Sequence, residues 1–351
     1  MERRYLVLTQ GQTHPTPAKL AATLLRYKPE WVVALLDAEN AGRTAGELMN
    51  VGEGIPVVAG INEALPLRPT TLVIGIAPSG GRLPESWRSV ILEAIRSGLD
   101  VISGLHSFLN DDVEFVNAAK KNNVKLTDLR KPPENPGVNQ CRAKLTNTFR
   151  IHTVGTDCNC GKKVAAIELD RALRLEGKKS KFIATGQSGI LISGAGITLD
   201  RVVSDFVAGA AESLVLENKN NDYLCIEGQG AITHPLYSGV TLSMLHGFMP
   251  QCLILCHQPD RREMRGAYGV PVPEINKTID LYERMAEPVC KTKVVGIALN
   301  LMAYPDKKAA ELVEKTETET GLPATDVIRF GSEKLVKAVF KFETELKQSL
   351  K

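Results

Sequence analysis

The sequence predicts an α/β protein of two domains, each built on a parallel sheet. Three observations carry this. Short runs rich in Val, Ile and Leu alternate with helix-length amphipathic stretches along the whole chain, the pattern of parallel strands joined by helical crossovers. A proline-rich break at 131–137, reading KPPENPG, interrupts the alternation once, and neither helix nor strand continues through it. The length of 351 residues, at roughly 100–200 per domain, suits two domains.

In the first half, strands are expected at 5–9, 31–36, 55–59, 71–76, 100–104 and 125–129, with helices near 17–26, 85–97 and 113–122. Thr16-Pro17 offers a hydroxyl cap and a first-turn proline. After the break, strands are expected at 150–154, 181–184, 223–227, 252–256, 294–299 and 327–330. The helices between them fall near 162–175, 199–216, 236–245, 274–285, 307–320 and 334–347. The domains are placed at 1–145 and 146–351.

Hydrophobic residues make up 43% and charged residues 24%, which excludes disordered and fibrous classes. Lys plus Arg is 43 and Asp plus Glu 40, a net charge of 43 − 40 = +3. That surplus gives no reason to expect a nucleic-acid or membrane partner. The longest apolar runs, such as 32–36 and 252–256, are strand-sized, far below the roughly 20 residues of a membrane helix. MERRYLVLTQ enters a strand without a secretory pattern. Seven cysteines are expected as reduced thiols in a cytoplasm.

The most informative segment is HTVGTDCNCGKKVAAIELDRAL, 152–173. An apolar strand ends at Gly155, a loop follows, and Gly161-Lys162-Lys163 opens a helix: the setting a phosphate-binding loop needs. Loop and helix N-terminus aim N–H groups at one point, where the helix dipole also favours an anion. Gly155, Thr156, Asp157, Cys158, Asn159, Cys160, Gly161, Lys162 and Lys163 are therefore the candidate cofactor-binding residues. Two positions depart from G-x-x-x-x-G-K-[ST]. Thr156 stands where the first glycine would, and Lys163 replaces the hydroxyl that helps hold Mg²⁺ on β- and γ-phosphates. A second ammonium suits binding a pyrophosphate better than transferring a γ-phosphoryl group.

GTDCNCGK resembles the loop of the dethiobiotin synthetase branch of P-loop proteins. CIEGQG at 225–230 is similar to that branch's phosphate-facing strand end, and GIALN, ending at Asn300, to its strand bearing an Asn near the base. A closer resemblance spans nearly the whole chain: APSGGRLPESWR, GLDVISGLHSFLNDD, VGTDCNCGKK, TGQSGILISGAGITLDRVVSDFVAGAAE, EGQGAITHPLYSGVTLSMLHG and CHQPDR, in order. These resemble a two-domain family long described as of unknown function and associated with D-glutamate N-acetyltransferase. The resemblance implies a Rossmann-like N-terminal sheet, a P-loop NTPase-like C-terminal sheet, acetyl-CoA as donor and a small amino-acid acceptor. It also implies that Lys163 is a family feature. A homo-oligomer, dimer or higher, is expected. Two alternatives stay open: an ATP- and Mg-dependent carboxylate-activating enzyme, in which Asp157 and Glu227 could hold the metal, and a nucleotide-sensing regulator.

Acetyl transfer to an amine needs a general base, donors for the oxyanion and cationic clamps for a dicarboxylate. Glu227, at a strand end, and His234 are the candidate bases. The N–H groups of Gly228 and Gly230 are candidate oxyanion donors. Arg261, Arg262 and Arg265 are the candidate clamp, and Gln187 and Ser188 add polar contacts after another strand. All follow C-terminal strand ends, where open α/β sheets place ligands. His246 is expected to be structural, and Cys252 and Cys256 to be core. The C-x-C spacing of Cys158 and Cys160 is not that of a thiolate metal site, so no metal ligands are assigned, though either thiol could be reactive. Asp37 ends the second strand as a ribose-binding acid would, but TQGQTHP lacks G-x-G-x-x-G, so nicotinamide is not expected. His106 and Ser79-Gly80-Gly81 also follow strands.

Overall fold

The computed structural model describes residues 3–76 and 81–349; Ser79 and Gly80 lie outside them. The chain forms two compact units, Met1–Pro132 with Gln187–Thr198, and Pro133–Gly186 with Leu199–Lys351. The division falls inside the proline-rich segment, so residues 133–145, expected with the first domain, belong to the second unit.

The first unit runs β1 (Tyr5–Leu8), α1 (Lys19–Tyr27), β2 (Val32–Leu36), α2 (Ala45–Met49), β3 (Val57–Val58), α3 (Ile61–Ala64), β4 (Thr71–Ile74), α4 (Arg88–Arg96), β5 (Asp100–Ser103), α5 (Val113–Asn122) and β6 (Leu126–Asp128). Its six strands pair in the order β3-β2-β1-β4-β5-β6, all parallel. This is the doubly wound order with β1 at the switch point. The core is the buried Val, Leu and Ile of β1, β2 and β4 against α1 and α4. Caps set helix starts. Asp112 accepts the N–H groups of Glu114 and Phe115 at α5, and Thr44 and Glu47 form a capping box at α2. Thr16 does not cap α1. Residues 15–17 form a turn, and the helix starts at Lys19 behind the buried Ala18.

The second unit runs β7 (Phe149–Gly155), α6 (Lys162–Leu175) and β8 (Ser180–Ile183). The chain then enters α7 (Gln187–Ser193), which is part of the first unit. It resumes with α8 (Ser204–Glu217), β9 (Tyr223–Ile226), α9 (Ser238–Phe248), β10 (Cys252–His257), α10 (Ile275–Ala286), β11 (Lys293–Leu299), α11 (Asp306–Thr320), β12 (Ala324–Thr325) and α12 (Glu333–Ser349). The parallel sheet has the order β12-β11-β10-β7-β9-β8. All seven residues of β7 are buried, as a central strand covered on both faces requires. The strand expected at 327–330 is absent. Asp326 accepts the N–H groups of Leu301, Ile328 and Arg329, and this turn chemistry confines the last strand to Ala324–Thr325.

Segment 133–145 joins this unit for a physical reason. A Cβ on Gly209 of α8 would collide with the Gly137 carbonyl, so the segment lies flush on the helix. The fully buried Glu212 of α8 accepts from the Gln140 N–H and pairs with Arg142 at 2.8 Å. Among the described residues no helix is long and apolar enough to cross a membrane.

Candidate functional site

The loop between β7 and α6 is built so that few other residues could form it. A Cβ on Gly155 would stand 2.5 Å from Cys160 Sγ and 3.1 Å from Lys162 Nζ. Gly161, at φ +107°, and Asn159, at φ +55°, turn the backbone into the helix. Lys162 is buried, its ammonium donating to the Asp157 carbonyl at 2.7 Å and to Cys160 Sγ at 3.6 Å. The Thr153 hydroxyl bonds the Lys162 and Ile226 carbonyls. Two residues that sequence reasoning missed hold the loop from outside. The buried Tyr282 hydroxyl donates to the Gly155 carbonyl at 2.9 Å and accepts the Ile232 N–H at 3.0 Å. His257 Nδ1 lies 3.0 Å from Thr156 Oγ1; burial first, then Arg261, pushes its pKa down to about 4, so the ring is neutral. His257 stands in the CHQPDR motif and was findable as a strand-end residue. Tyr282 is one more apolar-face residue of an amphipathic helix and carries no signal.

Asp157 is fully buried, and both its oxygens are hydrogen-bonded. One oxygen accepts the Cys158 N–H; the other accepts Arg261 Nη1 at 2.6 Å and the Arg265 N–H at 3.1 Å. Burial alone would raise its pKa, but these donors, Arg261 first, hold it below the usual carboxylate range. Arg261 also donates to the Cys158 carbonyl and to Gln258. It is thus spent inside the protein, which corrects its expected place in a substrate clamp. Arg262 and Arg265 remain exposed.

His234 is also corrected. It is fully buried, its Nδ1 accepts the Leu236 N–H at 3.2 Å, and its Nε2 lies 3.1 Å from the Arg265 carbonyl and 3.4 Å from Asp157. With Nδ1 accepting, the neutral ring carries its proton on Nε2, so His234 pins the loop and has no lone pair for a substrate proton. Asp157, Cys158 and His234 do bring ligand-type atoms within 4.8 Å of one another. The same tautomer turns a proton, not a lone pair, toward that point. Burial, followed by the Asp157 charge, raises the Cys158 thiol pKa, against a reactive thiolate.

Glu227 closes the other side, past the end of β9. One carboxylate oxygen accepts the N–H groups of Thr185 at 3.0 Å and Gly186 at 3.2 Å, fastening the end of β8. Its pKa is raised, by burial first, against the opposing charge of Lys163 and these two donors. Gly228 must be glycine: a Cβ there would fall on the Thr153 carbonyl oxygen. Its N–H bonds Thr153 Oγ1 at 3.1 Å, so it is not the oxyanion donor expected. Asn300 follows β11, its N–H on the His257 carbonyl and its Cβ 3.9 Å from the Cβ position of Gly161, beside the phosphate loop as anticipated.

Gln187 and Ser188 are not in this unit. They open α7, where a Cβ on Gly104 would meet the Gln187 side chain. In the first unit Asp37 accepts from Gly11, Thr13, Glu39 and Asn40, and a carboxylate so filled has no oxygen left for a ribose. His246 Nε2 donates to the Met285 carbonyl at 2.8 Å, and Cys252 and Cys256 are core.

Residues 137–336 match the model of a domain of unknown function described as the DUF1611 C-terminal P-loop domain, and residues 38–132 that of the DUF1611 N-terminal Rossmann-like domain. A protein of Tritonibacter scottomollicae named D-glutamate N-acetyltransferase is 35% identical over 344 residues, 97% of this chain and 99% of its own. One from Pseudoalteromonas sp. with the same name is 34% identical over 340 residues, 95% and 97% of the two chains. The crystal structure of a DUF1611 family protein from Anabaena variabilis superposes with a TM-score of 0.93 at 37% identity, covering 97% of this chain and 99% of that one. A phosphate loop after the central strand of one sheet, a doubly wound sheet before it and full-length similarity agree: the chain belongs to the DUF1611 family, with its Rossmann-like N-terminal and P-loop C-terminal domains.

Proposed function

We propose that the protein transfers acetyl from acetyl-CoA to the amine of D-glutamate or a related D-amino acid. The observation that carries the reading is the state of the two carboxylates that could hold Mg²⁺. Asp157 is filled by Arg261 and two further hydrogen-bond donors, and Glu227 accepts two backbone N–H groups on one oxygen and feels the Lys163 ammonium. A loop with Lys162 and Lys163, whose own carboxylate, Asp157, is already filled, suits a pyrophosphate that is held and not cleaved. CoA offers such a pyrophosphate. The names of the two full-length relatives support the acetyl chemistry and the acceptor.

In this reading the acceptor ammonium gives a proton to Glu227, whose burial-raised pKa brings it closer to neutrality. The amine nitrogen attacks the thioester carbon, the carbonyl electrons form an oxyanion, and the C–S bond breaks as they return. The CoA thiolate takes a proton, leaving N-acetyl amino acid and CoA. The test is mass spectrometry of products from D-glutamate or L-glutamate with acetyl-CoA or Mg-ATP. N-acetyl-D-glutamate formed only with acetyl-CoA is the expected result. ADP release without acetylated product would overturn it.

A further inference from the structure

The chain after β10 leaves the sheet as a small hairpin, residues 262–272. Val272 N–H bonds the Arg262 carbonyl at 2.9 Å, Met264 N–H bonds the Val270 carbonyl at 2.8 Å, and Glu263 bridges Pro271 antiparallel. Gly266 at φ +82° and Gly269 at φ +70° make its tip, and the buried Met264 roots it. The hairpin is bolted to the phosphate loop. The Arg265 N–H is 3.1 Å from Asp157, its carbonyl 3.1 Å from His234 Nε2, and Cys158 Sγ lies 3.8 Å from the same carbonyl. Three side chains point away from this anchorage. Arg262 and Arg265 are exposed, and Tyr268, at 103% relative exposure, stands free of any cover.

Position in the sheet gives these groups a side. The order β12-β11-β10-β7-β9-β8 puts the hairpin and Asn300 on one flank of β7 and Glu227 with the end of β8 on the other. A ligand whose pyrophosphate lies over β7 therefore has one end among cations, an aromatic ring and an amide, and the other at a buried carboxylate. Acid–base chemistry belongs to the carboxylate flank. The cationic flank suits a planar base and a further phosphate.

We propose that the 262–272 hairpin is the donor clamp: Arg262 and Arg265 hold a phosphate monoester beyond the pyrophosphate, the 3′-phosphate of CoA, and Tyr268 stacks on its purine. This rests on the acetyl-CoA reading and reassigns both arginines from the acceptor to the donor.

The experiment is calorimetric titration of the full chain with CoA and with 3′-dephospho-CoA, without metal. A charge-assisted bidentate contact contributes about 1.5–3 kcal/mol. Wild type should therefore bind CoA roughly 10- to 100-fold more tightly than dephospho-CoA. Arg265→Ala, and Arg262→Ala with it, should bring CoA down to the dephospho-CoA level and leave dephospho-CoA unchanged. Tyr268→Ala should weaken both ligands alike, and Tyr268→Phe should restore both. Equal binding of the two ligands by wild type overturns the proposal. So does a rise in KM for the amino acid in Arg265→Ala with CoA affinity intact, which would return the arginines to the acceptor. If CoA does not bind wild type at all, the acetyl-CoA reading itself falls and takes this one with it. Discrimination that the arginine variants leave unchanged would overturn the hairpin alone.

Discussion

At the residue scale, two buried carboxylates with opposite pKa shifts make opposite predictions. Glu227 is held up by burial, so the native state keeps its proton longer than the unfolded chain. Its charge then costs stability as pH rises from about 4.3 through the folded pKa, and the cost persists above it. Glu227→Gln keeps an oxygen for the Thr185 and Gly186 N–H groups and removes that charge. It should lower kcat by about 10²–10⁴-fold while raising the urea midpoint at pH 7 more than at pH 4. A midpoint gap that does not widen with pH would show that burial does not govern this group. Asp157 is the reverse: its donors outweigh burial, so its stabilisation is present above about 3.9 and is lost as pH falls toward the folded pKa. Asp157→Asn leaves Arg261 without its counter-charge and should cost about 3–5 kcal/mol at pH 7, with the deficit shrinking in acid; equilibrium unfolding across pH reads both. The loop residues themselves were legible in the sequence because strand, spacing and lysines agree locally. The commitment of Arg261 and His234 to Asp157 was not, because those bonds join residues about a hundred and about eighty positions apart, and no local pattern encodes them.

At the element scale, the strand–loop–helix alternation fixed the strands of both sheets to within a few residues, apart from the last. The apolar-run and helical patterns miss the last strand and the start of α1 for local reasons. Asp326 turns the backbone where a strand was expected, and the 15–17 turn delays α1. The short helices α2, α3 and α7 span 5, 4 and 7 residues, too few for a helical period to show. The connection after β9 carries a sharp element-scale prediction. Gly228 sits where a methyl group would overlap the Thr153 carbonyl and press on Lys162 Cδ at 2.9 Å. Gly228→Ala should therefore push β9 and β7 apart, costing about 3 kcal/mol or more, seen as a lower denaturant midpoint. Gly177→Ala, with open space around it but φ +73°, should cost about 1 kcal/mol from backbone strain alone. Equal costs would mean that the close approach at Gly228 is not real.

At the scale of the whole molecule, the two units are not two consecutive lengths of chain. Residues 187–198 leave the second unit's sheet after β8, lodge in the first unit with Leu191 in its core, and return at Leu199. Fragment 133–351 should then expose the apolar face of α7 and bind a hydrophobic dye. The same fragment with 187–198 replaced by a Gly-Ser linker should bind less; dye fluorescence on the two fragments decides it. A sequence read in local windows cannot show such a detour, since every residue of it reads as an ordinary connection after a strand. The detour also sets an order of events during synthesis. The ribosome releases the amino end first, yet the Rossmann-like half lacks one of its helices until residue 198 has cleared the exit tunnel, by which time β7, α6 and β8 of the other half are already outside. The nascent N-terminal sheet must wait, incompletely covered, for a piece of its partner's sequence, an interval in which exposed apolar surface favours misassembly.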